Sequence, residues 1–414
     1  MKYVFNPLLP LKIQQLPNNL TDIDTRSHTI LSDIGTNTHI QIDTHLVATN
    51  PHSDSLAISS TAYTKTTAGQ TINVTTAAEL TAALAALAAS PSLLGNVIIQ
   101  LAPGTYTGNF IVPTLLYTGY TLTIQGSLTE VLSDTATGGA VSVFGVGGTK
   151  GYAEKTTAAW TVNAYRHKLL MNPSGEYTAI ASNTATRILY PKVYFTQFSN
   201  TETIKVYDWA VMVTNSAGCI FTILSGANVV FKNIKITNSG AYGSKTSWVM
   251  RTIGYSDVQM ENCYLSGSDA FGTIHNNGYS TLRLCDSVIL GDGRVIRNET
   301  AYITATSITS TFHGFIIYLN GSNGSKQGLY NTIGSSVYML GGILLDGASV
   351  AASIGCWTNL NSILFSWTVF IENWGTGYQA TLIGFIYDDV NANTFAGNTT
   401  DKNPAAAADP GYIS

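Results

Sequence analysis

The stretch TINVTTAAELTAALAALAASPSLLGNVIIQLAPGTYTGNFIVPTLLYTGYTLTIQG, residues 71–126, decides the fold. A short strand over Ile72–Val74 leads into one helix. Thr76-x-x-Glu79 has the form of a capping box, in which hydroxyl and carboxylate satisfy the first free backbone N–H groups. Leu80, Leu84 and Leu87 fall on one helical face, and Ser90-Pro91 ends the helix. Strands follow at Val97–Leu101 and Thr121–Gln125, with a tight turn at Pro103–Tyr106 between them. One helix ahead of many short strands predicts a lid over one end of a stacked β structure.

Further along, the chain repeats itself. Asn228-Val-Val-Phe-Lys-Asn233-x-x-Ile236 matches Asp257-Val-Gln-Met-Glu-Asn262-x-x-Leu265. Ser280-Thr-Leu-Arg-Leu-Cys-Asp286-x-x-Ile289 repeats the pattern with one residue added, and a looser copy follows at Ile303–Ser310. Alternating strands with repeats of this length indicate a solenoid. No helix follows each strand, which disfavours a leucine-rich repeat. Alternation sends Val229, Phe231, Val258, Met260, Leu282 and Leu284 inward. Asn233, Asn262 and Asp286 then stack at one bend, where short polar side chains suit tight curvature.

The element order and the LAPGTY corner resemble the start of the right-handed parallel β-helix of the pectate-lyase-like group. There the helix caps the first coil. The run SDIGTNTHIQIDTHL (Ser32–Leu46) is similar to the virion-attachment ends of bacteriophage tail fibres. TTAAWTVNAYRHKLLMNPSGEYTAIASNTATRILYP (residues 156–191) orders a Trp-x-x-Asn strand, a basic-aromatic turn, a Pro-Ser-Gly hairpin and a further strand, as phage fibre and spike sequences do. The chain thus resembles a bacteriophage tail fibre or tailspike protein. The resemblance implies an all-β chain: a right-handed parallel β-helix with an N-terminal capping helix and an extended or helical attachment segment. It also implies a homotrimer, a place in the virion tail outside the cell, contacts to other tail or baseplate proteins through the N-terminal segment, and a host surface glycan as ligand. The expected divisions are 1–60 for attachment, 61–150 for the capping helix and first coils, 151–215 for a β insertion or distorted coils, 216–390 for the shaft, and 391–414 for a trailing segment.

Composition removes several function classes. Charged residues make up 11% of the 414 and the net charge is −4, without the clustered Lys and Arg that nucleic-acid binding needs. No apolar run reaches the length of a membrane span. The first residues, MKYVFNPLLPLKIQQLPNN, carry Pro7 and Pro10 within their apolar part and read as a poor secretion signal. Cys219, Cys263, Cys285 and Cys356 lack the spacing of a zinc site and read as small buried hydrophobes. The repeat register sets Cys263 and Cys285 two positions apart, which argues against a bridge. His39 or His45 meeting on a trimer axis would offer a metal site, but His-x-His is absent. No metal and no cofactor are expected.

Chemistry in the solenoid has few carriers: Asp257, Glu261, Asp269, His275, Asp286, Asp292, Arg294, Arg297, Glu299 and His313. A glycosidase needs two carboxyls, one protonated and one ionised. Glu261 with Asp286, flanked by Arg283, is the catalytic candidate pair. Asp286 also reads as a rung of the bend ladder, and Glu261 as an outward, solvated side chain. His275, ahead of Asn276-Asn277-Gly278, reads as a turn residue. No Asp-x-Asp cluster for calcium falls in the repeats. Sugar rings stack on aromatic faces, and Trp357, Trp367, Trp374 and Tyr378 are the candidate glycan platform, with core filling or trimer contact as the plainer reading. The leading function is adhesion by a tail fibre or short tailspike. The alternative is a polysaccharide depolymerase, a hydrolase or lyase, and the weakest is a bacterial surface adhesin.

Overall fold

The computed structural model describes residues 70–404 apart from 90, 117–118, 141–149, 192–196, 241–246, 268–271, 300–308, 314, 320–325, 348–351, 382–384 and 389–393. Outside that range it describes the strands Lys2–Val4, Gln14–Leu16, Ser55–Ile58, Thr61–Thr64 and Tyr412–Ile413. His39, His45 and the attachment-like run therefore lie outside the described residues. The chain forms two units, Met1–Ser55 and Leu56–Ser414. In the first, Lys2–Val4 pairs antiparallel with Gln14–Leu16.

The second unit is a parallel β-solenoid of about 10 turns. Three ladders of parallel strands make its faces. Face one runs from Gln70–Val74 through Val97–Leu101, Leu122–Gln125, Asn228–Lys232, Asp257–Glu261, Thr281–Cys285 and Thr309–His313. Face two runs from Gly104–Thr107 through Val211–Asn215, Lys235–Asn238, Tyr264–Gly267, Val288–Gly291 and Ile316–Leu319. The long strands Ser336–Asp346 and Ile363–Glu372 then serve both faces. Face three stacks Phe110–Val112, Phe221–Ile223, Met250–Thr252, Ile274–Asn277, Arg294–Glu299, Gln327–Thr332, Ile354–Thr358, Thr376–Ala380 and Thr400–Pro404.

Val229, Phe231, Val258, Met260, Leu282 and Leu284 are buried in one apolar core that runs through the coils. Leu80, Leu84 and Leu87 of the helix Ala77–Ala89 join that core beside Leu101 and Val112. Thr76 and Glu79 form the reciprocal cap: Glu79 N–H donates to Thr76 Oγ1 (3.2 Å) and Thr76 N–H to Glu79 Oε2 (3.3 Å). At the bend after face one, Asn233, Asn262 and Asp286 adopt φ of 55°, 54° and 51°, a left-handed conformation that Asn and Asp tolerate best. Asn262 Nδ2 donates to Asn233 Oδ1 across the coils (3.2 Å). The repeat register holds: Glu261 pairs with Cys285, two positions from Cys263, and no disulfide joins the described cysteines.

Three boundaries differ from expectation. The rung after Thr281–Cys285 is Thr309–His313, not 303–310, because pairing follows backbone register rather than the weak apolar match. Residues 394–404 and 412–413 do not trail. They add strands to all three faces, since a parallel ladder is held by backbone hydrogen bonds that need no apolar alternation. Antiparallel strands begin at Leu128, ahead of 151, where Leu128–Thr135 pairs with Thr203–Trp209. The Pro173-Ser174-Gly175 hairpin joins Leu169–Met171 to Tyr177–Ala179 as expected, whereas Trp160–Asn163 is not a strand and runs into a turn.

This insertion has its own core around Trp160, Leu170, Ile188, Tyr190 and Val206. It lies on the outer side of face two. Ala179 and Ala181 pack against Val288, Leu290, Ile316 and Tyr318, whose side chains point away from the solenoid interior. Arg166 and His167 contact the Tyr318 ring at 4.6 and 4.7 Å. Among the described residues the insertion thereby covers face two over those coils, and its apolar contacts there do not reach faces one and three.

Candidate functional site on face three

Alternation along face three sends every second side chain outward. Ile274 and Asn276 are buried in the solenoid, and His275 stands between them on the outer side, itself buried under the Trp248 ring. The register aligns Thr222, Arg251, His275, Arg297, Tyr330, Trp357 and Gln379 in one outward column. At about 4.8 Å per rung, Arg251 and Trp357 stand roughly 19 Å apart. Two further columns flank it: one carries Arg294 beside Gln327, the other Glu299 beside Asn277.

At the centre, His275 Nε2 is 2.9 Å from Glu299 Oε1, and Arg297 Nη2 is 2.6 Å from Glu299 Oε2. The Trp248 ring stacks on the imidazole at 4.5 Å. Burial lowers the pKa of His275, and the Arg297 and Arg251 charges add to that, so the ring is neutral at neutral pH despite its carboxylate partner. Its Nε2–H then donates to Glu299. Burial works against ionisation of Glu299, but the hydrogen bond from His275 and the charge of Arg297 outweigh it and hold the carboxyl below its usual range. With the histidine neutral, Arg297 is the charged partner of Glu299. His275 Nδ1 and Arg251 Nε are both buried without a hydrogen-bond partner.

The C-terminal half of the column is aromatic. Arg294 lies over the Tyr330 ring (4.3 Å), and Tyr330 meets Trp357 edge-on at 5.3 Å. Trp357 Nε1–H donates to Thr381 Oγ1 (2.8 Å), and Asn359 Nδ2 donates to the Tyr330 hydroxyl (3.3 Å). Burial and the nearby Arg297 charge lower the pKa of Arg294. Arg251, Arg294 and Arg297 against Glu299 leave this strip net positive on a chain whose net charge is −4. A guanidinium fork with an aromatic face beside it suits a carboxylated or otherwise anionic sugar.

The expected pair is not assembled as a catalytic dyad. Glu261 lies on the outer side of face one, bound by Lys232 Nζ (2.8 Å) and Gln259 Nε2 (2.6 Å). Arg283 binds Asp257 (3.0 Å) instead of flanking Asp286, which occupies the left-handed bend. Of the aromatic platform, Trp357 is half-buried on face three, whereas Trp374 and Tyr378 are core side chains at 1% and 0% exposure. Trp374 Nε1–H donates inward to the Leu344 carbonyl (3.1 Å). The Trp367 backbone sits on Ile363–Glu372, and its side chain lies outside the described residues. His275 is a strand residue, not a turn residue, because Asn276 is drawn inward by hydrogen bonds to its coil neighbours. Arg297, Glu299 and Tyr330 stood in the sequence without a role. Their signal was the alternation in Arg294–Glu299 and Gln327–Thr332, which becomes a site only when coils are stacked. Among the described residues no group of three or more His, Cys, Asp or Glu could hold a metal ion.

By its architecture the chain is a parallel β-helix protein. No family model matches it, and no curated protein matches it. Among solved structures it is similar to an alginate lyase from Paenibacillus sp. str. FPU-7, at 14% identity over 81% of this chain and 96% of that one, with a TM-score of 0.34. A complex of XylC with xylose aligns at 9% identity over 80% of this chain and 68% of that one, with a TM-score of 0.32. A tailspike of Acinetobacter baumannii bacteriophage AP22, solved with A. baumannii capsular saccharide, aligns at 11% identity over 76% of this chain and 73% of that one, with a TM-score of 0.19. At such identities and scores these likenesses assign no activity.

Proposed function

We propose that this chain is a glycan-binding spike protein, of the kind carried on bacteriophage tails, and that it holds an acidic host-surface polysaccharide along face three. The observation behind this reading is the outward column Arg251–His275–Arg297–Tyr330–Trp357, with Arg294 alongside. It supplies cations, donors and aromatic faces in line, on a face that the insertion's apolar contacts do not reach. The attachment role of residues 1–60, the virion location and a parallel homotrimer belong to the same proposal. The test is binding of the full chain to immobilised acidic and neutral bacterial-surface polysaccharides. Acidic glycans are expected to bind, with Arg297→Ala and Trp357→Ala each weakening the contact about tenfold, on the order of 1.4 kcal/mol. Equal binding by both variants overturns the reading. Light scattering gives the oligomeric state: a particle about three times the 44.1 kDa chain supports the trimer.

Depolymerisation is the second reading, favoured by the His275–Glu299 hydrogen bond. Two facts weigh against it. The free lone pair of His275 Nδ1 is shut from solvent, and both carboxylate oxygens of Glu299 are engaged. Asp292, whose pKa burial raises, lies ahead of the strand that Glu299 ends. That puts the two roughly 15–20 Å apart by strand rise, against about 5–10 Å for a glycosidase pair. Release of new reducing ends from a bound polysaccharide would reverse this ranking.

A further inference from the structure

Gly254-Tyr255-Ser256 and Gly278-Tyr279-Ser280 are the same tripeptide on successive coils, in register at the corner between faces three and one. Each residue has a separate task. Ser256 and Ser280 turn inward and share a buried hydrogen bond (2.9 Å). Gly254 and Gly278 adopt φ of 76° and 67°, and a Cβ on Gly278 would meet Gly254 N at 2.9 Å. Only glycine fits this close passage of one backbone over the other. The tyrosines turn outward. Their rings stack at 5.0 Å with 10° between planes, and Tyr255 is 61% exposed. Tyr279 itself has φ of 63°, a conformation an aromatic residue adopts at a cost of about 1–2 kcal/mol. The Tyr255 backbone is tied down: its N–H donates to Ser225 Oγ (3.1 Å), and Gly226 N–H donates to its carbonyl.

An aromatic pair outside the apolar core, with Tyr255 exposed and Tyr279 half-buried on an anchored turn, presents a ring face to solvent. We propose that Tyr255 and Tyr279 form a sugar-stacking subsite that takes the C–H face of a pyranose ring at the edge of face three. This rests on the glycan-binding reading above. Tyr255 and Tyr279 stand four residues beyond Arg251 and His275 on the same two coils, so a saccharide leaving the Arg–His column across the coils meets them. The Asp257–Arg283 ion pair follows directly on face one (3.0 Å) and offers polar partners for ring hydroxyls. A second protein chain fits less well. Two tyrosines supply about 150–250 Å² each at most, against about 800 Å² per partner in a stable interface.

The experiment uses the full chain with Tyr255→Ala, Tyr279→Ala, the double variant and Tyr255→Phe. Binding is measured to acidic bacterial-surface polysaccharides cut into short and long oligomers, with Arg297→Ala as the control for the main column and light scattering on every variant. The expected result is about tenfold weaker binding of long oligomers by each alanine variant, unchanged binding by Tyr255→Phe, and unchanged mass. Unchanged affinity in the alanine variants, with Arg297→Ala impaired, overturns the subsite and leaves the column standing. A fall in mass overturns it in favour of a chain-to-chain contact. Failure of the unaltered protein to bind any of these glycans overturns both readings.

Discussion

Faces one and three are built from the same coils, yet they treat charge in opposite ways. On face one, Lys232 meets Glu261 and Arg283 meets Asp257, so each charge is cancelled by a neighbour on the next rung. On face three, one carboxylate, Glu299, serves two of its neighbours, while Arg294 lies over the Tyr330 ring and Arg251 has no carboxylate partner among the ion pairs of the described residues. The interiors differ too. Behind face one lie Val229, Val258 and Leu282; behind face three, Asn276 donates to Asn298 (2.8 Å) and Asn298 to Asn331 (3.0 Å). Self-cancelling charge over an apolar interior is what a shaft needs for solubility. Uncancelled charge over a hydrogen-bonded spine is what a recognition surface needs for rigidity.

Breaking the spine has the largest expected effect. Asn298→Ala leaves buried amide groups of Asn276 and Asn331 without their cross-coil bonds and opens a small cavity. The expected loss is about 3–4 kcal/mol, read as a fall in the urea midpoint. Val258→Ala behind face one should cost about 2 kcal/mol by comparison, and a reversed order would sink the claim that the spine matters more.

Acid should come next, acting at both open and covered faces. Burial lowers His167, packed against Tyr318, to about 3 from an ordinary 6.5. The unfolded chain takes up that proton below pH 6.5 and the folded chain only near 3, so stability falls as pH drops across this window and levels off below it. His275 is lowered in the same sense. The lowered carboxyl of Glu299 contributes stability that is lost as pH falls through its folded pKa. Melts between neutral pH and about pH 4 should show a loss of roughly 2–3 kcal/mol from His167 alone. His167→Asn, which suits the left-handed backbone there, should flatten the slope.

Arg297→Ala sharpens the contrast between faces. It removes the charged partner of a half-buried carboxylate and should cost about 2 kcal/mol in stability besides its loss of binding. Lys232→Ala, the matching change on face one, should cost under about 1 kcal/mol and leave glycan binding as it was. Equal effects from the two would erase the distinction between the faces.

Much of the solenoid was legible because its signals are local. The capping box, the leucine face, the alternation at Val229–Phe231 and the Asn-Asn-Asp bend each follow from a few neighbouring residues, and each stands where the pattern put it. The segment after residue 391 misled because its strands are held by backbone pairing without an apolar pattern. Trp374 and Tyr378 misled because an aromatic side chain reads the same whether it fills a core or faces solvent.

By itself the sequence determined that this is a chain of stacked strands with one helix ahead of them, since period-two alternation and turn chemistry act over a few residues. Only the tertiary structure decided that Arg251, His275, Arg297, Tyr330 and Trp357 stand in one line, and that Glu261 is bound by Lys232 while Asp286 sits in a left-handed bend. Coil lengths vary, so residues separated by unequal stretches of chain become neighbours only when the ladders set their register. Which neighbours share a rung then decides whether a charge is cancelled or left free to bind.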